Sequence, residues 1–305
     1  MADPVTAGPV TAGSAPQVSN WGRWGDDDER GALNRITPEA TLRGLAAVRT
    51  GVPISLGLPL RSGQGPVAER RPAVQHFMVR DGGDYAAGLG ERGFGFADDT
   101  LVLPTGATTH LDALAHVWAD HQMWNGFSAS EVTSRGAARC GIDKAGPIVT
   151  RALFVDAGPP DGTSSSDDHN LTTDDLQRAL DRAGVTPAPG DALLVRTGWL
   201  ARWRAGTATA ERWAGLDPSC AAWIDEQGFA LVGADNVAVE AGPSPDPADA
   251  APMHVALIRD RGVHLLELMD LEELATTGRT EFLLVVAPLC LVGGAASPVN
   301  PVAVL

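Results

Sequence analysis

The chain has 305 residues, 44% of them hydrophobic and 20% charged, which is enough to bury a large core. Its 38 acidic residues against 23 basic ones give a formal net charge of -15. Because so acidic a surface repels phosphate backbones and anionic lipids, we expect neither nucleic-acid nor membrane-surface partners.

The N-terminal part of the chain contains one clear helix pattern. Residues 1–18 are mostly Pro, Ala, Gly, Thr and Ser, with little to bury, and are predicted to form a disordered tail. The segment TPEATLRGLAAVRTG predicts a helix with Thr37 as its N-cap and Pro38 in its first position. The next segment, VPISLGLPL, is typical of a strand. Residues 61–100 have little periodicity and are predicted to form loops and short strands over a site.

From residue 148 onward, strand and helix patterns alternate, which indicates an α/β fold built on a sheet. The predicted strands are 148–158, 191–199, 229–236, 263–269 and 280–293, and the predicted helices are 172–184, 217–228, 251–262 and 270–278. We find no repeat of fixed period and no linker that would divide the chain. Residues 19–305 are therefore predicted to form a single domain with an N-terminal arm.

Cysteine usage and the absence of targeting patterns bear on the compartment. The three cysteines, Cys140, Cys220 and Cys290, are isolated and form no CxxC pair, which argues against a disulfide framework and suits a reducing compartment. The first residues lack the basic segment and apolar run of a signal peptide. No apolar run is long enough to span a bilayer. We therefore expect a cytoplasmic protein.

The stretch PTGATTHLDALAHVW gathers two histidines and an aspartate. His110 and Asp112 are two residues apart and point the same way in an extended segment, whereas Asp112 and His116 share one face if LDALAHVW begins a helix, as its pattern predicts. Each residue alone has an ordinary structural explanation, such as a helix cap or a core histidine. Their convergence favours a site, because imidazole and carboxylate together are a normal donor set for zinc or manganese.

Further candidate ligands lie in the second half of the chain. His254 opens the predicted helix 251–262, and Glu267 lies inside the apolar segment HLLELM. A carboxylate in a buried strand is costly unless it is paired or bound to a cation. His264 is three residues from Glu267 and so faces the opposite side of the same strand. Glu267 and His254 are therefore the better candidates.

These residues belong to a pattern that extends over most of the chain. TTHLDALAH resembles the signature H-x-G-T-H-x-D-x-x-x-H of the metal-dependent cyclase family, which includes kynurenine formamidases and isatin hydrolases. LLVRTGW, GADNVAVE, MHVALIRDRGVHLLELMDLEELA and GGAASPVNPVAVL are similar to later blocks of the family's longer members, in the same order. The resemblance implies a swivelling β/β/α-type fold, a divalent metal ion (Mn²⁺ or Zn²⁺), and attack of metal-activated water on an amide, formamide or lactam carbonyl. It also implies a homodimer or homotetramer.

The resemblance assigns roles to five residues of this sequence. His110, Asp112 and His254 match metal ligands. Glu267 matches an acidic residue that completes the metal shell or assists proton transfer. His116 matches a catalytic histidine that handles protons beside the metal and is not itself a primary ligand.

The sequence departs from the signature at Gly106, which stands where the first signature histidine is expected, while Thr108 replaces the signature glycine. A glycine has no side chain to bind a metal. Either another group, such as His76 or His121, fills the position, or the metal is held more weakly, or the site has drifted from hydrolysis. Glycine could also be required there by a turn with positive φ.

The leading hypothesis is therefore a metal-dependent hydrolase of a small, aromatic amide, formamide or lactam. One alternative keeps the metal but closes a ring in a biosynthetic reaction. Another is a non-catalytic binding protein on the same fold. Four tryptophans, Trp21, Trp24, Trp118 and Trp124, could form the wall of an aromatic pocket, although core packing is their commoner use. No serine nucleophile elbow, Walker loop or GxGxxG motif supports another enzyme class.

Overall fold

The structure is a computed structural model that describes residues 19–62, 71–88, 93–158, 170–209, 211–244 and 250–305. The predicted disordered tail, residues 1–18, lies outside the described residues, as does His169. Among the described residues, no helix combines the length and apolar character needed to cross a bilayer.

The elements of the described residues alternate most regularly after residue 148. The strands are β1 (Pro53–Ser55), β2 (Gln75–Arg80), β3 (Asp98–Val102), β4 (His110–Asp112), β5 (Val132–Thr133), β6 (Gly136–Ala137), β7 (Ile148–Asp156), β8 (Ala192–Arg196), β9 (Leu231–Ala234), β10 (His264–Glu267), β11 (Glu281–Val286), β12 (Ala296–Pro298) and β13 (Val302–Val304). The α-helices are α1 (Pro38–Ala46), α2 (Gly82–Ala86), α3 (Thr173–Ala183), α4 (Trp199–Arg204), α5 (Cys220–Glu226), α6 (Pro252–His254) and α7 (Glu272–Thr276). A π-helix, Val255–Arg259, follows α6 directly, and short 3₁₀ turns occur at Gly31–Arg35, Trp124–Gly126, Ala129–Glu131 and Ile142–Lys144.

Nine of the described strands form one large mixed sheet in the order β1-β13-β11-β7-β8-β9-β10-β4-β12. The central strands β7, β8, β9 and β10 are parallel, and the strands on both sides of them are antiparallel to their neighbours. This arrangement confirms the predicted α/β class with a mixed sheet and surrounding helices. It places β4, which carries the histidine motif, beside β10.

The core lies on both faces of the central strands. Successive residues alternate between two buried clusters: Val155 and Val195 contribute to one, and Phe154 and Leu194 to the other. All five residues of β8 are buried. Such near-continuous apolar strands are expected for a parallel sheet covered on both faces, which explains why the sequence pattern identified them well.

The helix caps follow local chemistry. The side chain of Thr37 accepts a hydrogen bond from the backbone N–H of Ala40, as predicted, with Pro38 in the first helical position. Thr172 caps α3 and forms a reciprocal capping box with Asp175. Both N-termini were predictable because a cap involves only residues of the same turn.

Two predicted elements are wrong in part. The segment VPISLGLPL forms only the three-residue strand β1. The predicted strand 280–293 ends at Val286, and residues 289–292 are exposed, with Val292 at 81% exposure. We predicted that this apolar run is buried. The pairing of β11 with β7 ends at Val286, opposite Ile148, and β11 pairs with no described strand beyond that point.

A separate hairpin, β2 with β3, is exposed along its whole length. Its large apolar side chains include Phe77, Val79, Leu101 and Val102, each about half exposed or more in the described chain. The hairpin is tied to the rest of the structure near its base, where the backbone N–H of His76 donates to Oγ of Ser62.

Candidate metal centre

Strand β4 positions His110 and Asp112 on one face, two residues apart. It is held in extended form because it pairs with β10 on one side and with β12 on the other. The prediction that LDALAHVW begins a helix is therefore wrong: pairing with two strands outweighs local helix propensity. After β4 the chain turns, with the backbone N–H of His116 donating to the carbonyl of Ala113 at 3.0 Å. This turn, not a helical face, brings His116 towards Asp112.

Glu267 lies directly opposite His110 on the neighbouring strand, so the two side chains share a face of the sheet. Nε2 of His110 is 3.3 Å from Oε2 of Glu267 and 3.5 Å from Oδ1 of Asp112. Nδ1 of His110 is 2.8 Å from the carbonyl oxygen of Thr108 and donates to it in the matching tautomer. That tautomer leaves Nε2 free to act as a ligand.

His254, on α6, completes the cluster from the other side. Its Nε2 is 3.1 Å from Oε1 of Glu267 and 4.0 Å from Oδ2 of Asp112. Its Nδ1 hydrogen-bonds to the carboxylate of Glu240, which also accepts from the backbone N–H of Met253 at 2.9 Å. A carboxylate on the second ring nitrogen fixes the orientation of a ligating histidine.

Glu240 was missed by the sequence reasoning. It is a buried carboxylate within the segment GADNVAVE, and burial of a charge in apolar surroundings was the same signal that singled out Glu267. The segment was used for its resemblance alone, so this signal was overlooked.

His116 lies at the solvent side of the cluster. Its side chain is 29% exposed, whereas that of Asp112 is fully buried. Nε2 of His116 is 3.8 Å from Oδ1 of Asp112, and its ring centroid is 6.1 Å from that of His254. The five residues assigned by the resemblance are therefore brought together, with His116 nearest to solvent. Which of them bind metal and which transfers protons stays a prediction.

The donor set fits a divalent cation. Both carboxylate oxygens of Asp112 and Nε2 of His110 are buried and have no hydrogen-bond partner. Leaving such groups unpaired is costly, and a bound cation removes the cost. Two groups of residues each offer three ligand atoms that all lie within 4.8 Å of one another. One group comprises Asp112, His116 and His254, and the other comprises His110, Asp112 and Glu267. Asp112 belongs to both and faces the middle of the cluster.

The charges of the cluster are mutually stabilising. Burial alone lowers the pKa of His254, but the carboxylates of Glu240 and Glu267 outweigh it and raise the pKa well above its usual value. Burial likewise lowers the pKa of His110, and Asp112 and Glu267 raise it overall. Burial raises the pKa of Glu267, yet the adjacent imidazoles of His110 and His254 hold that pKa below its usual range. A metal ion would replace these imidazole protons as the positive charge.

The backbone beside two site carboxylates adopts unusual conformations. Val239, next to Glu240, has a φ of 59°, and Leu268, next to Glu267, has a φ of 55°. Both side chains are buried. A left-handed φ is a true outlier for a β-branched residue and costs about 1–3 kcal/mol. Strain of this kind is concentrated at functional sites, where the surrounding structure maintains it.

The remaining sequence candidates lie elsewhere. His76, on the exposed hairpin, pairs with Asp99 at 2.7 Å. His121 is exposed in a turn with a φ of 61°. Neither belongs to a metal-binding group among the described residues, so neither takes the place of the histidine missing at Gly106.

The tryptophans mainly serve packing. Trp24 and Trp124 have ring centroids 6.0 Å apart, and Trp124 is fully buried in the core. Nε1 of Trp21 donates to the carbonyl of Arg259 at 2.7 Å. Trp118 is about half exposed. An aromatic pocket built from these four residues stays a prediction.

Comparison with known proteins assigns the family. Residues 51–241 match the family model described as "Putative cyclase". The chain belongs to this cyclase family. A crystal structure described as a novel cyclase is 36% identical, with a TM-score of 0.87, and the match covers 94% of this chain and 98% of that one. No curated protein matches the chain.

Two more distant structures share the fold of this cyclase-family chain. Isatin hydrolase A from Labrenzia aggregata is 20% identical, with a TM-score of 0.65, and the match covers 87% of this chain and 97% of that one. A protein described as a potential metal-dependent hydrolase with cyclase activity is 18% identical, with a TM-score of 0.53, covering 83% and 98%. These two likenesses show the fold, the family is described as a cyclase family, and this chain has groups of residues suited to a metal.

Proposed function

We propose that this cyclase-family chain is a metal-dependent hydrolase that cleaves a C–N bond in a small amide, formamide or lactam. The observation that carries the proposal is the set of buried, unpaired donor atoms on Asp112 and His110, with His254 and Glu267 beside them. A divalent ion bound there supplies a Lewis acid that polarises the carbonyl and lowers the pKa of water. The mixed nitrogen and oxygen donors suit Mn²⁺ or Zn²⁺.

The residues of the site would have two different roles, ion binding and proton transfer. His110, Asp112, His254 and Glu267 would hold the ion. His116, whose Nε2 faces Asp112 from the solvent side, is placed to accept the proton of the attacking water. Water oxygen forms the new bond to the carbonyl carbon, the C–N bond breaks, and His116 returns the proton to the leaving nitrogen. The products are a carboxylic acid and an amine for an amide or formamide, and a single ring-opened amino acid for a lactam.

The proposal is tested by elemental analysis of the purified protein, followed by a screen of N-formyl aromatic amines and lactams. We expect wild-type protein to contain a divalent metal and to hydrolyse members of this class. His110→Ala should lose the metal while staying folded. A metal-free wild-type protein, or a His110→Ala variant with full metal content, would contradict the assignment.

Ring closure at the same metal centre is a second candidate function. It is favoured by the descriptions of two similar structures as a cyclase and as a hydrolase with cyclase activity. The two reactions differ in their use of water, because hydrolysis incorporates a solvent oxygen into the product and ring closure does not. Mass spectrometry of products formed in ¹⁸O-labelled water distinguishes them. A non-catalytic binding protein has less support, since it gives no reason for unpaired buried donors.

We also propose that the chain forms a homo-oligomer, through a surface that includes the β2–β3 hairpin and residues 289–292. An isolated two-stranded hairpin is marginally stable in water unless a hydrophobic face packs against something. This hairpin exposes Phe77 and Val79, and Leu289 and Leu60 line a common cavity close to its base. Large exposed apolar patches are typical of association surfaces. Light scattering should find a dimer or tetramer, and Phe77→Asp should shift it towards monomer; a monomeric wild type would contradict the proposal.

A further inference from the structure

The absent side chain of Gly106 leaves room for the guanidinium of Arg71. A Cβ atom added to Gly106 would lie 2.5 Å from Nη1, 2.8 Å from Cζ and 3.1 Å from Nη2 of Arg71. The φ of Gly106 is outside the left-handed region, so its backbone would accept a side chain. A side chain at this position would have to displace the guanidinium of Arg71, and the turn does not need a positive φ.

The protein uses only part of the hydrogen-bonding capacity of Arg71. Nη1 donates to the carbonyl oxygen of Gly106, and an arginine side chain has five N–H donors in all. Within the described ranges Arg71 has no carboxylate partner and no second acceptor. Several other arginines that are shielded from solvent pair with carboxylates, as Arg151 does with Asp191. The guanidinium of Arg71 is thus left with donors for a ligand.

Arg71 contacts the segment that leads directly into the candidate metal centre. A stretch of four residues, from Gly106 to His110, spans at most about 14 Å. Because the guanidinium contacts Gly106, it is held within a similar distance of the ligand histidine. Gly106 and His110 are buried and Arg71 is half-buried. Reduced solvent exposure strengthens the attraction between this cation and an anion.

We propose that Arg71 is a specificity-determining residue that binds a carboxylate of the substrate; this inference rests on the proposed hydrolase function. A planar guanidinium binds a carboxylate through two parallel N–H donors. The net charge of -15 otherwise repels anions, so an available cation near the centre selects for molecules that carry a carboxylate. The substrate class is then carboxylate-bearing amides or lactams, with the carboxylate at Arg71 and the C–N bond at the metal centre.

The test compares the binding of phenylacetate and of phenylacetamide, its neutral analogue, to the metal-loaded protein by calorimetry. We expect wild-type protein to bind phenylacetate more tightly than phenylacetamide. Arg71→Gln should weaken phenylacetate binding at least tenfold and leave phenylacetamide binding unchanged, and Arg71→Lys should fall between. The matched control is Arg80→Gln, because Arg80 is an exposed arginine on the hairpin that contacts the ring of Phe96.

Metal content and melting temperature are measured on every variant. Unchanged phenylacetate affinity in Arg71→Gln would overturn the proposal, as would a loss of metal that explains the weaker binding or an equal effect of Arg80→Gln. No phenylacetate binding by the wild type at millimolar concentrations would overturn it too. The hydrolase proposal is judged separately by turnover: if no amide is cleaved while phenylacetate binding still depends on Arg71, the hydrolase proposal fails and the anion site remains.

Discussion

Removing the metal should lower the melting temperature, and the size of the effect can be worked out from the site. In the metal-free protein the carboxylate of Asp112 is buried without a hydrogen bond, so a cation that binds only the folded state stabilises it. At a free metal concentration one hundred times Kd, the gain is about 2.7 kcal/mol. For a chain of 305 residues, an unfolding entropy of about 2.1 cal/mol/K per residue converts this into a shift of about 4 °C.

The assay is thermal unfolding of protein stripped with a chelator and then titrated with Mn²⁺ or Zn²⁺. Asp112→Asn removes the shared carboxylate and should abolish the shift. Asp99→Asn is the matched control, since Asp99 also pairs with a histidine, His76, but outside the cluster. It should keep the full shift. The reasoning is refuted if Asp112→Asn responds to metal as the wild type does, or if no metal shifts the wild type.

Three further changes probe individual residues. His116→Ala should retain most of its metal and lose most of its activity, as checked by elemental analysis and turnover. A loss of metal as complete as in His110→Ala would mean that His116 is a metal ligand. Glu240→Gln should reduce metal affinity about 10–100-fold in a competition titration, because the orientation of His254 is less well fixed; unchanged affinity would remove that role. Gly106→His alone should lower the melting temperature without tightening zinc binding, because Arg71 occupies the space. Combined with Arg71→Ala it should tighten zinc binding, and no gain in a stable double variant would mean that position 106 does not face the metal.

The parts of the fold that the sequence predicted are those set by neighbours in the chain. The predicted cap at Thr37 depends on residues within one turn. The buried strands β7 and β8 show as apolar runs because both faces of the sheet are covered. The strand pair β4–β10 joins distant segments of the chain. Even so, His110 and Asp112 of β4 were identifiable as a pair from the sequence, because a strand places residues two apart on one face.

The parts that were not predicted depend on contacts between distant residues. LDALAHVW has the composition of a helix, and only its two strand partners make its first residues extended. Arg71 reaches Gly106 across 35 residues of sequence, and no local pattern indicates that contact. Glu240 is 14 residues from His254 and lies beyond the reach of any helix or strand periodicity. The exposed run 289–292 is apolar enough to be interpreted as core, because composition does not show where β11 loses its partner.

The π-helix Val255–Arg259 gives this segment one residue more than an α-helix of the same rotation would contain. It begins immediately after His254 and leads, within a few residues, to β10, which carries Glu267. A π turn contains one residue more than an α turn, and each residue of an α-helix advances the chain by about 100°. Deleting one residue from Val255–Arg259 would leave an α turn with nearly the same total rotation, so His254 would keep its orientation relative to β10, whereas the same deletion in an all-α segment would rotate His254 by about that angle. A one-residue deletion in this turn should therefore be tolerated without loss of the site geometry, which an ordinary α-helix at this place would not permit.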